Sequence, residues 1–297
     1  MPRKIGWLSP IPLEVWRAEF AAFTAQMKEL GQIEGRDYVI ERRGGGGRSD
    51  QLADQARALV AVKPALIVAG TSGSVSASMA ATTSIPIVFV AVGEPVQQGF
   101  VASLARPGGN VTGTTFWHEV FGKLVELVRA TLPAVRRIAA FELEGDPVSK
   151  RVSGRFGDAA KALGYKLDIV RTRAGEDLAK AFAELRSLKS EALVLSPQYP
   201  RQAKRIGELA SSARLPTFGS FSVYAEEGGL MSYANDPILP WTRAAVLVDK
   251  VLKGAKPADL PVEEPERFVM VVNLRTARAI GIAVPKDVLL RADRVIE

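Results

Sequence analysis

Short β-rich runs alternate with amphipathic helices through most of this sequence, and this alternation restricts the possible folds more than any other feature. The run Ile5–Leu8 predicts a first strand. The helix that follows it repeats large apolar side chains at spacings of three and four: Trp16, Phe20, Phe23, Met27 and Leu30. Strands separated by such helices form a parallel sheet covered on both faces, so we expect an α/β fold.

The alternation runs in two series. The first series predicts further strands at Tyr38–Glu41, Ala65–Ala69, Ile85–Val92 and Val111–Phe116. Ile85–Val92 is apolar throughout, which indicates a central strand. The second series predicts strands at Ile138–Phe141, Leu167–Val170, Ala192–Ser196, Thr217–Ser220 and Leu230–Tyr233, then a helix at Trp241–Leu252, a strand at Phe268–Val272 and one more short helix.

Two series in a chain of 297 residues predict two doubly wound parallel-sheet lobes joined by a hinge. The hinge is expected near Thr114–Phe116, where the second series begins. We expect the late elements to return to the first lobe and then to the second. The predicted lobes are residues 1–115 with about 236–262, and residues 116–235 with about 263–297.

Residue types that several kinds of catalysis need are scarce. The chain has no cysteine, which excludes disulfides, thiolate zinc sites and cysteine nucleophiles. It has a single histidine, His118. The His, Asp and Glu residues show no metal-ligand spacing. Gly44–Gly47 is not followed by the Gly-Lys-Ser/Thr of a phosphate-binding loop, and no dinucleotide fingerprint fits securely. The sequence therefore predicts a protein that is not an enzyme and has no metal or cofactor.

The net charge of +7 would suit nucleic acid if it were concentrated in one segment. The basic pairs are instead far apart: Arg42-Arg43, Arg136-Arg137, Lys150-Arg151 and Lys204-Arg205. Such pairs are typical of solvated faces, so we expect no nucleic-acid partner. The longest apolar stretch, Ile85–Val92, is far shorter than the roughly 20 residues that cross a bilayer.

Parallel α/β sheets bind ligands at the carboxyl ends of their strands. Loops in such positions are Ser9–Pro12, Gly70–Ser74, Gly93–Pro95, Glu142–Leu143, Ser196–Gln198, Ser220–Ser222 and Ala234–Asp236. These loops supply polar candidates for contact with a small-molecule ligand: Ser9, Thr71, Ser72, Glu94, Gln198 and Asp236. Helix or turn capping is the alternative role for Thr71, Ser72, Glu94 and Asp236.

The aromatic candidates lie near strand ends and lobe crossings. They are Trp16, Phe116, Trp117, Phe221 and Tyr233, joined by the neighbouring polar residue Thr115 at the expected hinge. Aromatic side chains can stack on a planar or amphiphilic ligand. Trp16 is also in register with Phe20 and Phe23, which fits a core position. The sequence leaves ligand contact and core packing both open for Phe116 and Phe221.

Several longer runs resemble one known family. They are Ile85–Val90, Gly93–Val96, Gly99–Gly113 and Val248–Glu263, with shorter matches at Ile5–Ser9, Glu34–Arg36 and Gly122-Lys123. Together they are similar to the ABC-transporter substrate-binding family that includes tryptophan- and tyrosine-binding lipoproteins, over nearly the whole chain. The resemblance implies a type I periplasmic-binding-protein fold that closes on a small amphiphilic or aromatic molecule such as an amino acid. It also implies delivery to an ABC transporter permease and a periplasmic or cell-surface location.

Two loops depart from the family pattern. Gly70–Gly73 stands where a Gly-Thr-Pro-like run is common, and Ala234–Asp236 where Gly-Pro is common. The alternative function is the effector-binding core of a transcriptional regulator, which needs a helix-turn-helix module for which the residues before Ile5 are too few. Met1–Leu8 does not resemble a signal peptide, so we expect membrane contact only through the permease or a removed lipid anchor.

Overall fold

The computed structural model describes residues 1–44, 49–115, 120–173, 178–264 and 267–297. Its strands are β1 (Arg3–Leu8), β2 (Tyr38–Arg43), β3 (Leu66–Ala69), β4 (Ile87–Val92), β5 (Val111–Thr115), β6 (Arg137–Leu143), β7 (Lys166–Thr172), β8 (Ala192–Leu195), β9 (Thr217–Gly219), β10 (Met231–Asn235), β11 (Phe268–Asn273) and β12 (Arg294–Ile296). Its helices are α1 (Arg17–Glu29), α2 (Leu52–Ala61), α3 (Ser72–Ala81), α4 (Val120–Thr131), α5 (Pro147–Ala162), α6 (Leu178–Ser187), α7 (Ala203–Ala213), α8 (Ser222–Glu226), α9 (Leu239–Leu252), α10 (Leu274–Ile280) and α11 (Lys286–Leu289).

The chain forms two compact units. Unit 1 comprises Met1–His118 and Asp236–Arg267, and unit 2 comprises Glu119–Asn235 and Phe268–Glu297. Within the described residues, no helix combines the length and the hydropathy that a membrane span needs.

Unit 1 contains a five-stranded parallel sheet in the order β2-β1-β3-β4-β5. Apolar side chains alternate between its two faces, so that Trp7, Val68 and Val90 pack against α1 and α9, and Leu8 and Phe89 belong to the core on the α2 and α3 side. The apolar strand β4 is interior, as its composition predicts, but β3 is the middle strand. β4 pairs with β3 on one side and with β5 on the other, which confirms the expected interior position of this strand.

Unit 2 contains seven strands in the order β12-β11-β10-β9-β8-β6-β7. The five parallel strands β7-β6-β8-β9-β10 repeat the strand order of unit 1. Helices α6 and α7 pack on one face of the sheet, while α4 and α5 pack on each other and contact β8, β9, β10, β6 and β7. β11 runs antiparallel to β10, and β12 is parallel to β11.

The structure corrects the predicted C-terminal part in two respects. One short helix was expected after the strand Phe268–Val272, whereas α10, α11 and the edge strand β12 follow it. The third crossing between the lobes, back into the second lobe, was expected at about 262/263, whereas unit 1 extends to Arg267. The reason is that Glu263 still bonds to β5: its N–H donates to the carbonyl of Gly113 at 2.9 Å, and its carbonyl accepts from the N–H of Thr115 at 2.8 Å.

Candidate functional site

In unit 1, the strand order changes direction between β1 and β3, which opens a crevice at the carboxyl ends of these two strands. Ser9 follows β1 and Gly70 follows β3. The indole of Trp16 and the side chain of Ser9 both lie against Gly70, since a Cβ built there would be 2.9 Å from Cζ3 of Trp16 and 3.3 Å from Cβ of Ser9. The structure thus brings together four of the predicted residues: Ser9, Trp16, Thr71 and Ser72.

Ser9 and Trp16 both have structural partners in this crevice. The Ser9 hydroxyl is buried and accepts the N–H of Ile11 at 3.0 Å, so it shapes the loop after β1. Trp16 is half-buried and makes an edge-to-face contact with Trp241, with ring centroids 5.2 Å apart. One side of the Trp16 ring is therefore packed in the core, as the spacing of Trp16 from Phe20 and Phe23 indicates.

The start of α3 forms the polar side of the crevice. The Thr71 hydroxyl caps the helix by accepting the N–H of Ser74 at 3.1 Å, which is the capping role that the sequence left open. The amides of Ser72 and Gly73 belong to the first turn and have no acceptor inside the helix. Together with the positive end of the helix dipole they favour an acceptor oxygen from a ligand.

The end of β4 and the loop after it are held in an unusual backbone conformation. Ala91 and Glu94 have φ of +52° and +50°, in the left-handed region that costs a residue other than glycine about 1–2 kcal/mol. A register shift in the β4–β5 pairing lies between Phe89 and Val92, and the N–H of Ala91 donates to the Thr114 hydroxyl at 3.1 Å. Strain of this kind is concentrated at binding sites. Glu94 is half-buried in this loop, and Thr115, at the end of β5, is buried.

Unit 2 contains buried polar side chains at the ends of three adjacent strands. Ser196 follows β8, Ser220 follows β9 and Asn235 ends β10. Their exposed fractions are 1%, 7% and 3%, and neither hydroxyl oxygen nor either amide atom of Asn235 has a hydrogen-bond partner among the described residues. The Oε1 atom of Gln198 is buried and without a partner in the same way. Each such group costs about 1–3 kcal/mol when it is left unpaired, and native proteins contain few of them.

Two tyrosines fix the loop that carries Ser196 and Gln198. The Tyr224 hydroxyl donates to the carbonyl of Ser196 at 2.6 Å and accepts the N–H of Tyr199 at 3.1 Å. Burial raises the pKa of Tyr224, and it raises the pKa of Tyr199 to about 12. Both hydroxyls therefore stay protonated at neutral pH and keep this geometry.

The remaining predicted residues have mixed environments. Phe221 is half-buried, with its ring 6.4 Å from that of Tyr224. Tyr233 stacks on Phe268 at 5.2 Å. Asp236, in unit 1, accepts the N–H of Ile238 at 2.9 Å and lies 3.9 Å from Arg267, so it caps the turn before α9. Phe116 and Trp117 lie outside the described residues, as does His118.

Sequence reasoning identified the loops of unit 2 but selected only one of their buried groups without a partner in the described residues, Gln198. Gln198 and Phe221 were chosen there, whereas the buried groups without a partner among the described residues also include Ser196, Ser220 and Asn235. The sequence feature that could have identified them is a small polar residue directly at the end of an apolar strand. At such a position the hydroxyl or amide lies in the interior. Whether such a group has a partner depends on the tertiary fold, so the sequence does not reveal it.

A family model described as ABC transporter substrate binding protein matches residues 16–296. A tyrosine-binding protein of Clostridioides difficile is 25% identical over 266 residues, which are 88% of this chain and 75% of that protein.

Solved structures are similar over the whole chain. A protein from Streptococcus pneumonia, described as an ABC domain in complex with L-Trp, has a TM-score of 0.88 and 26% identity, with both chains covered completely. A conserved domain protein from Vibrio cholerae has a TM-score of 0.87 and 26% identity, covering 99% of this chain and all of the other.

Proposed function

Because the chain belongs to the ABC transporter substrate-binding protein family, we propose that it is the binding component of an ABC importer and captures a small amphiphilic or aromatic molecule, such as an aromatic amino acid. The observation that carries this proposal is a row of buried polar groups at the ends of β8, β9 and β10 that have no hydrogen-bond partner in the described ranges of the chain: Ser196, Ser220 and Asn235. A binding protein needs polar groups that are positioned before the ligand arrives.

These groups make the free protein less stable than a paired arrangement would be, and a ligand that pairs with them recovers that cost. Hydroxyl and amide groups both donate and accept, so they favour a ligand with several polar atoms over a purely apolar one. In unit 1, the first amides of α3 offer further donors, and Trp16 offers an aromatic surface beside them.

The relatives support the aromatic part of the proposal. One is a tyrosine-binding protein, and one solved structure is in complex with L-Trp. Family membership likewise supports binding without chemical turnover, delivery to a permease, and a periplasmic or cell-surface location.

A thermal-shift screen tests the proposed ligand class, with aromatic and aliphatic amino acids, aromatic acids, sugars and purines as probes. Binding to the native state raises the melting temperature with the logarithm of ligand concentration over Kd. We expect a shift with aromatic amino acids and recovery of the ligand unchanged. A shift with sugars alone would retain the binding role and reject the ligand class.

Two further experiments test the transport role. Deletion of the gene should abolish uptake of the radiolabelled ligand, and unchanged uptake would contradict the importer assignment. The closure that the sequence leads us to expect stays a prediction, and small-angle scattering with and without ligand measures it as a decrease in the radius of gyration.

A further inference from the structure

Six exposed cations gather at one edge of the sheet in unit 2. Helices α4, α5, α6 and α7 each lead into one of the parallel strands β6, β7, β8 and β9, so these helices end at the edge where the strands begin. This edge lies opposite the strand ends that carry Ser196 and Ser220. Its exposed cations, which we call the basic face, are Arg129, Arg136, Lys161, Lys166, Lys189 and Arg214.

Contacts at this edge bring together residues that are far apart in the sequence. The N–H of Lys166 donates to the carbonyl of Arg136 at 2.9 Å, so the starts of β6 and β7 lie side by side. Arg129 and Arg136 both act on the hydroxyl of Tyr165: burial raises the pKa of Tyr165, and the two positive charges reduce that rise. The pair Arg136-Arg137, which looks isolated in the sequence, is therefore part of a larger group of cations.

Two carboxylates beside the basic face have other partners. Asp168 pairs with Arg137, with 3.1 Å between Oδ1 and Nη2. The carboxylate of Glu191 accepts the backbone N–H groups of Arg136 and Arg137, both at 2.8 Å. In the described part of the chain, no side chain of the basic face forms an ion pair. Unit 2 also holds six of the seven net positive charges of the sequence, so its excess charge is not balanced within the unit.

Two of the cations occupy backbone positions that favour glycine. Lys189 and Arg214 follow α6 and α7 in the left-handed region, with φ of +56° and +50°. Glycine stands in the corresponding position after α5 and α10, at Gly164 and Gly281. The helix dipole accounts for a cation in the last turn of a helix, but a side chain with a Cβ is strained in the left-handed conformation. Such strain is concentrated at functional sites, so these two cations indicate a role other than folding.

From these charges and their placement we infer that the basic face docks on an anionic phospholipid membrane. Each lysine or arginine close to such a surface strengthens binding about fivefold. Nucleic acid is also anionic, but its recognition uses a helix or strand that enters a groove, or aromatic rings on which bases stack. At this edge the four helices present their ends rather than their sides. The choice of a membrane also rests on the location outside the cytoplasm proposed above, and it adds a direct contact that the sequence alone did not predict.

Cosedimentation of the full chain with lipid vesicles tests the inference. Vesicles of equal parts phosphatidylglycerol and phosphatidylcholine are compared with vesicles of phosphatidylcholine alone. We expect binding to the anionic vesicles only, and added salt should weaken it by screening the charges. Lys189→Gly combined with Arg214→Gly should weaken this binding about 30-fold. The same variant should keep or raise Tm, because glycine relieves the backbone strain at both positions.

The matched control removes the same charge from unit 1. It combines Lys63→Gly, which replaces a lysine with φ of +50° after α2, with Arg106→Gln at an exposed arginine. Vesicle binding of this control should stay within about twofold of the wild type, because neither residue belongs to the basic face. A second variant, Arg129→Gln with Lys161→Gln, leaves the left-handed positions unchanged and should reproduce the loss of binding.

Equal binding to both kinds of vesicle would overturn the inference, as would equal losses in the glycine variant and its control. Full binding by Arg129→Gln with Lys161→Gln would also overturn it. Tighter binding to a DNA duplex than to the anionic vesicles, at the same salt concentration, would assign the basic face to nucleic acid instead. The thermal-shift screen with amino acids, sugars and purines is a separate measurement, so a failure of vesicle binding leaves the proposed function standing.

Discussion

Trp16 lies over Gly70 so closely that only a hydrogen atom fits between the indole and the backbone, because a Cβ there would be 2.9 Å from Cζ3 of the ring. Gly70→Ala should therefore displace the indole from the crevice between β1 and β3. We expect a loss of about 1–3 kcal/mol in the free energy of unfolding, typical of an overpacked site, together with a change in tryptophan fluorescence. Urea denaturation measures the first effect.

Gly154→Ala is the control for this substitution. Gly154 lies inside α5 with nothing within 4 Å of the added Cβ, so alanine should stabilise the protein by about 0.5–1 kcal/mol. Equal effects of the two alanine substitutions would contradict the close approach of Trp16 and Gly70.

Replacing Ser196 or Ser220 by alanine should change the stability of the free protein and its affinity for the ligand in opposite directions. Replacing either serine by alanine removes an unpaired buried group, so the free protein should keep its stability or gain up to about 1 kcal/mol. Ligand affinity should fall about fivefold to fifteenfold, because a hydrogen bond formed only in the complex is lost. Calorimetry and urea denaturation on the same preparations measure both changes.

Ser153 provides the matched control in unit 2. Its hydroxyl is also buried without a partner in the described residues, but it lies on α5 rather than at a strand end. Ser153→Ala should affect stability in the same direction and leave affinity unchanged. A loss of affinity equal to that of Ser220→Ala would indicate that the strand-end hydroxyls have no special role.

A buried polar network joins β1, the segment after α1 and α9 in unit 1. The Gln32 amide donates to Asp249 at 2.9 Å, and Arg3 donates to the Gln32 carbonyl oxygen at 3.1 Å. Asp249→Ala would leave the Gln32 amide buried without its acceptor, so we expect a loss of about 2–4 kcal/mol in urea denaturation. Asp54→Ala, which breaks an exposed ion pair with Arg57, should cost less than about 1 kcal/mol. If both variants lose the same stability, the network contributes no more than a surface pair.

Local pattern was sufficient to predict most elements but not their arrangement. The strand β4 was evident from an unbroken apolar run, and α1 from apolar spacing that begins at Trp16. The direction of β11 was not predictable, because a single strand carries no local sign of whether its neighbour is parallel. After Asn273, the elements α10, α11 and β12 are each too short to show a hydrophobic periodicity, so the sequence did not distinguish them.

The candidate site shows the same limit at the level of side chains. Thr71 was predictable because a small hydroxyl residue after a strand and before a helix serves as a cap. The position of Arg42 beside Trp7 was not predictable, since it depends on the register between β1 and β2, whose paired residues are more than 30 positions apart in the sequence. Asn235 is buried with no hydrogen-bond partner for either amide atom among the residues that the structure describes, and this too depends on neighbours that are distant in sequence.

The raised pKa of Tyr199 predicts a loss of stability at alkaline pH. Burial raises this pKa from 10.0 to about 12, so above pH 10 the unfolded chain releases a proton that the folded chain retains. The contribution is complete below pH 10 and is lost as the pH rises to 12, with a slope of about 1.4 kcal/mol per pH unit. Tyr199→Phe should lose less stability than the wild type over this range, as urea denaturation at pH 9, 10 and 11 would show. Thr172→Val removes the hydrogen bond that lowers the pKa but preserves the burial, so it should keep the alkaline slope. Burial also raises the pKa of Tyr38 and Tyr224, so part of the alkaline slope remains in every variant. If Tyr199→Phe lost as much stability as the wild type over this range, burial of the Tyr199 hydroxyl would not contribute to the slope.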